Sequence, residues 1–144
     1  MNKIRIISFF IFLGIFTCVF QLGSMSTVSE EEAALFMEEF EKLVLDIDAF
    51  GIFVHNTTIA LPMFIPGFGI FWGLFSSWST GYAFAAIITS MPEIAHISPL
   101  SILFLSPFGL MEISAYSLGI SRSFILIKAI ITKTNLSQFI KPTI

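Results

Sequence analysis

Charged side chains are almost missing from this chain. Between Asp48 and Arg122, 73 residues carry only two, Glu93 and Glu112, and residues 6–29 carry none. Placing Asp, Glu, Lys or Arg in hydrocarbon costs roughly 2.5–3.5 kcal/mol per residue, so such a chain is built for lipid as its solvent. Charged residues make up 12% and hydrophobic residues 56% of the 144, with a mean hydropathy of +0.91. A soluble core of that size could not hide so much apolar surface. The seven basic residues are scattered, which excludes the basic stripe of a nucleic-acid binder. The single cysteine, Cys18, allows no internal disulfide and reads as a small hydrophobe within the first apolar run. His55, His96 and Glu93 have no metal-ligand spacing, so no metal is expected. His-Glu-x-x-His, a phosphate-cradling glycine loop and Gly-x-Ser-x-Gly are all missing. Asp46 and Asp48 lie outside the apolar runs, so no intramembrane aspartyl pair is available. Neither catalysis nor a cofactor is expected.

What remains is an all-α pattern: about four transmembrane helices in a polytopic bundle, plus an external amphipathic helix. Residues 1–28 hold the first span, Ile4 to Leu22, and its boundary. Its charge-free part is 17 residues, about 25 Å as a helix, the short end of what crosses a bilayer. A basic start and small residues at Gly23, Ser24 and Ser26 also describe a cleavable signal peptide. The retained helix is preferred because Phe and Ile dominate up to the boundary. Residues 29–49 form the acidic external helix. Ser29 with Glu32 is a capping box, and Phe36, Phe40, Leu43, Val44 and Ile47 make an apolar stripe at helical spacing. Glu38 and Lys42 are placed to pair. A solvated connecting helix explains the acidity; the stripe adds the expectation of docking, with Phe36, Phe40 and Val44 as candidate partner-binding residues.

Residues 50–122 form the membrane core. Its second span, Phe50 to Trp78, is broken by Pro62 and Pro66, whose freed carbonyls must find partners in lipid; Asn56, Thr57 and Thr58 are near enough to help. Ser79-Thr80-Gly81 reads as a turn into a thin third span, Tyr82 to about Ile94. The fourth runs from about Leu100 to Ser121, broken at Pro107 and Gly109. Residues 123–144 are a basic tail with no acid, whose first part extends the helix along the interface. Basic residues gather at the two ends, so the positive-inside rule puts both termini in the cytoplasm of a multi-pass cell-membrane protein. The glycosylation patterns at Asn56 and Asn135 read as chance.

Glu112 is the leading site candidate, since an intramembrane carboxylate is a functional hypothesis by default. Its plainer role is to hydrogen-bond a freed carbonyl or a hydroxyl of the second span, with His55 and Asn56 as further polar groups. A broken helix beside a buried acid is also how transporters build ion sites, although a packing kink explains Pro62 and Pro66 as well.

The run Pro107-Phe108-Gly109-Leu110-Met111-Glu112-Ile113-Ser114-Ala115, then Gly119 and Arg122, resembles the Pro-His-Gly-x-x-Glu-x-x-Ala signature of the stage II sporulation protein M family. Thr80-Gly81 stands where that family has Asn-Gly, and His55-Asn56 lies near the start of the second span. The resemblance covers about half the chain. Phe108 replaces the family's histidine, so any role of that imidazole is absent. The resemblance implies a non-catalytic membrane scaffold or complex subunit, with lipid and a membrane or extracytoplasmic protein as partners. The alternative is a small transport or channel subunit using the Glu112 carboxylate, acting as a homo-oligomer because four short helices enclose little space.

Overall fold

The computed structural model describes residues 2–45 and 47–133, and all its regular structure there is helical. Six α-helices follow one another: α1 (Asn2–Ser24), α2 (Glu30–Val44), α3 (Ala49–Ala60), α4 (Phe68–Ser90), α5 (Pro99–Leu105) and α6 (Pro107–Ile131). Short 3₁₀ turns cover Leu61–Phe64 and Pro92–Ile94.

The three long helices pack on one another through small residues. The Ser77 hydroxyl donates to the Phe16 carbonyl at 2.7 Å, and Gly81 lies against the carbonyl of Phe20. These pairings make α1 and α4 parallel, and a Cβ at Gly23 or Gly81 would collide with the facing backbone. Phe12 meets Phe124 and Phe16 meets Tyr116, so α6 runs antiparallel to α1. The core joins Phe12, Phe16 and Phe20 of α1 to Ile113, Tyr116 and Ile120 of α6, with Met63 and Leu103. Small hydroxyls at Ser8, Ser76, Ser77, Ser117, Ser121 and Ser123 are buried, while Ile6, Phe10, Phe71 and Ile131 face outward. Buried hydroxyls beside an apolar core, with further large apolar side chains facing outward, is a distribution that a lipid solvent accommodates.

Among the described residues two helices are long and apolar enough to cross a membrane, α1 from Lys3 and α6. The stretch Ala49–Phe64 is apolar but shorter. Helix α4 matches α1 at 23 residues and carries no charged side chain.

Several boundaries differ from the sequence expectation. No turn forms at Ser79-Thr80-Gly81; α4 runs straight through it, and the helix expected to start at Tyr82 begins at Phe68. Thr80 donates its hydroxyl proton to the Ser76 carbonyl, so a residue read as a turn former is bonded back along its own helix. The Pro62–Gly67 segment is a reversal, not a kink: α3 ends at Ala60, Gly67 takes φ 82°, and the Trp72 indole donates to the Ile59 carbonyl across the turn. Positive φ at that point suits glycine alone. Ser123 of α6, instead of Asn56, Thr57 or Thr58, supplies the tertiary bond near the prolines, donating to the Ile65 carbonyl at 2.6 Å. Pro107 opens α6 instead of breaking a span; Ser106 caps it by accepting from the Gly109 amide at 2.9 Å. Gly109 packs on the Leu103 carbonyl where α5 meets α6. Beyond Arg122, α6 continues to Ile131 with Ser123, Ile125 and Ala129 buried, so residues 123–131 belong to the bundle. Asn135 and Lys141 lie outside the described residues, as does Asp46.

Helix α2 forms as expected. Ser29 and Glu32 exchange both capping-box bonds, and Lys42 Nζ reaches Glu38 Oε1 at 2.6 Å. Val28 and Ala33 pack with Ala85 and Ala86, flanked by Phe36 and Tyr82, which folds α2 back along α4.

Candidate functional site

Glu112 occupies the second turn of α6 and is half-buried. One turn on, the buried Tyr116 hydroxyl interacts with its carboxylate, and His55 of α3 is its electrostatic neighbour across the gap between helices. Helix α3 buries none of its own residues and stands off from α6. A cavity of about 450 Å³ opens on its inner side, within the range of small-molecule sites. Its walls are His55, Asn56 and Ile59 from α3, a stripe from Trp72 to Ala83 on α4, and Glu112 with Tyr116 on α6. Phe36 and Phe40, stacked 6.0 Å apart on α2, form its roof. A second cavity, about 340 Å³, lies between α3 and the outer side of α6, lined by Phe53, Thr57, Phe108 and Met111 among others. Asn56, Glu112 and Tyr116 line both.

The cavity's hydrogen-bonding character follows from bonds already made. Trp72 donates its indole proton to Ile59, Ser76 its hydroxyl proton to Trp72, and Thr80 its own to Ser76. Those protons are committed to carbonyls, so the Ser76 and Thr80 oxygens have only lone pairs left to offer.

The structure thus brings Glu112, His55 and Asn56 together on one cavity wall. Pro107 and Gly109 sit one turn before Glu112 and set its helix start. Pro62 and Pro66 do not join the site: their turn packs against Gly119, Ser123 and Ile127, well along α6 from Glu112. The picture of a broken helix beside the acid at one depth is therefore corrected. No freed carbonyl meets Glu112; its polar neighbours are Tyr116 and His55. Phe36 is turned into the molecule, Phe40 is 40% exposed at the cavity edge, and the side chain of Val44 lies outside the described residues. Among the described residues no three His, Cys, Asp or Glu side chains converge on a metal position; His96 Nδ1 sits instead 2.8 Å from the Glu93 carbonyl oxygen.

Sequence reasoning missed Tyr116, Trp72, Ser76, Ser79 and Thr80. Their signal was present: Glu112 and Tyr116 are four apart, and Trp72, Ser76, Ser79 and Thr80 share one helical face. Splitting α4 at Ser79 hid the second set. No protein-family model, curated protein or solved structure matches the chain.

Proposed function

We propose that the chain is a non-catalytic, four-pass integral membrane protein that binds a small molecule in the cavity beneath α2, as a small transport subunit does. The four passes are α1, Ala49–Phe64, α4 and α6. In this arrangement Lys3, Arg5, Arg122 and Lys128 share one end of the bundle, and Glu30, Glu31, Glu32, Asp48 and Glu93 the other. Arg5 and Arg122 are within electrostatic reach of each other, which supports that grouping. Positive-inside bias makes the basic end cytoplasmic.

The observation that carries the binding reading is the placement of Glu112, Asn56 and Tyr116 on both cavities, one facing inward and one facing sideways. A carboxylate used only as helix glue has no need of open volume on two sides. The test is accessibility: Ser79→Cys in a Cys18→Ala background should react with a membrane-impermeant maleimide applied outside intact cells. Failure to label, with the variant folded and in the membrane, overturns the reading.

A second reading, a scaffold of the stage II sporulation protein M kind, is favoured by Leu35, Leu43 and Leu45, exposed on or just after α2 at 59%, 62% and 79%. Outside the bilayer such leucines ask for a protein partner. Photocrosslinking from Leu35 and Leu43 tests it; capture of lipid or of this chain alone removes it.

A further inference from the structure

We infer that the cavity beneath α2 recognises an organic cation, an aromatic or alkyl ammonium group, with Glu112 as its counter-ion and the surrounding rings as its bed. The inference rests on the small-molecule reading above and adds the ligand class. Four observations point to it. First, among the described residues Glu112 is the one acid in the cavity wall, and that wall holds neither lysine nor arginine, His55 beside Glu112 being its one basic side chain. Second, aromatic side chains dominate the lining: Phe36, Phe40, Trp72, Phe75 and Tyr116. Ring faces attract cations through their quadrupole, most strongly when water is excluded. Third, the indole and hydroxyl protons of Trp72, Ser76 and Thr80 are already donated within the protein, so these groups add no donor for an anion, and the Ser76 and Thr80 oxygens offer lone pairs to a donor or a positive charge. Fourth, the roof helix carries six glutamates against one lysine, a field that draws cations to the entrance. An inorganic divalent ion fits less well, because no three ligating side chains converge among the described residues. The volume of about 450 Å³ admits a small organic ammonium ion without rearrangement.

The test uses the full-length chain in nanodiscs, titrated by calorimetry with benzyltrimethylammonium, benzylsulfonate and benzyl alcohol, with empty nanodiscs as blank. Benzyltrimethylammonium should bind saturably and at least tenfold more tightly than either of the others. Glu112→Gln should erase that preference while leaving benzyl alcohol binding unchanged. Phe40→Leu, which keeps the carboxylate, should weaken the cation severalfold and spare the alcohol, and it serves if the Gln variant fails to fold. Equal binding of the three probes, or a cation preference that survives Glu112→Gln, overturns the ligand class but leaves the cavity as a binding site. Absence of saturable binding by all three overturns both readings.

Discussion

Glu112 shows why a half-buried acid in this chain need not be a structural pin. Its neighbours are a hydroxyl one turn away and open volume on two sides. Glu112→Gln should therefore unfold within a few degrees of the wild type in detergent, whereas Glu112→Leu loses the Tyr116 interaction and about 0.6–2 kcal/mol. Equal stability of all three proteins would show that the Glu112–Tyr116 interaction contributes nothing to the fold. Ser117 presents the opposite case: its Oγ is fully buried with no hydrogen-bond partner. Removing an unsatisfied polar atom relieves its desolvation cost, so Ser117→Ala should raise the thermal midpoint, by about 1 kcal/mol in stability. Gly81→Ala pushes a methyl into the Phe20 carbonyl and should cost about 1–3 kcal/mol, read from the same melts. Glu112 was legible in the sequence as a site candidate because charge is so rare around it. Its companions Trp72 and Ser76 were not, because a tryptophan and a serine in an apolar run look like ordinary filling until the helix face is known.

At the scale of the element, the helix ends in water were legible and those in the bundle were not. The Ser29/Glu32 capping box works through local bonds, so its sequence pattern suffices. Backbone and side-chain bonds from Ser29 hold the Glu32 carboxyl below its ordinary value of 4.5. A carboxyl lowered in the folded state contributes stability that is fully present above the ordinary value and is lost as pH falls through the lowered one. Relative to the intrinsic rate, which itself slows as pH falls, amide exchange in the first turn of α2 should thus quicken between pH 5 and pH 3, while that of α6 keeps a constant ratio to its own intrinsic rate. Ser29→Ala should quicken it already at pH 7, consistent with about 1 kcal/mol for a lost cap. The misread turn at Ser79-Thr80-Gly81 has a different cause. In water these residues favour turns, but between apolar helices small side chains permit close approach and hydroxyls bond back to their own carbonyls. The prolines were misread for a related reason: their residue type says where a helix cannot continue, and only packing says whether the chain bends, reverses or starts anew.

For the whole molecule, the all-helical class followed from composition, and the placement of Lys3, Arg5, Arg122 and Lys128 toward one end of the bundle followed from their positions in the chain. A reporter fused after Ile144 and another placed at Ser26 should fall on opposite sides of the membrane; both on one side overturns the four-pass arrangement. In the proposed four-pass arrangement, the reversal at Pro62–Gly67 also bears on how the chain enters a bilayer during synthesis. Ala49–Phe64 is 16 residues, about 24 Å, and is short for a stable crossing by itself. Its Ile59 carbonyl receives a proton from Trp72, and Met63 is buried against Gly69, Gly73 and Gly119. Those partners emerge from the ribosome later, so the segment has no reason to commit to the lipid until α4 has been made. The two helices should enter as a pair: nascent chains ending at Ile65 should leave Phe53 open to aqueous labelling, and chains ending at Met91 should protect it.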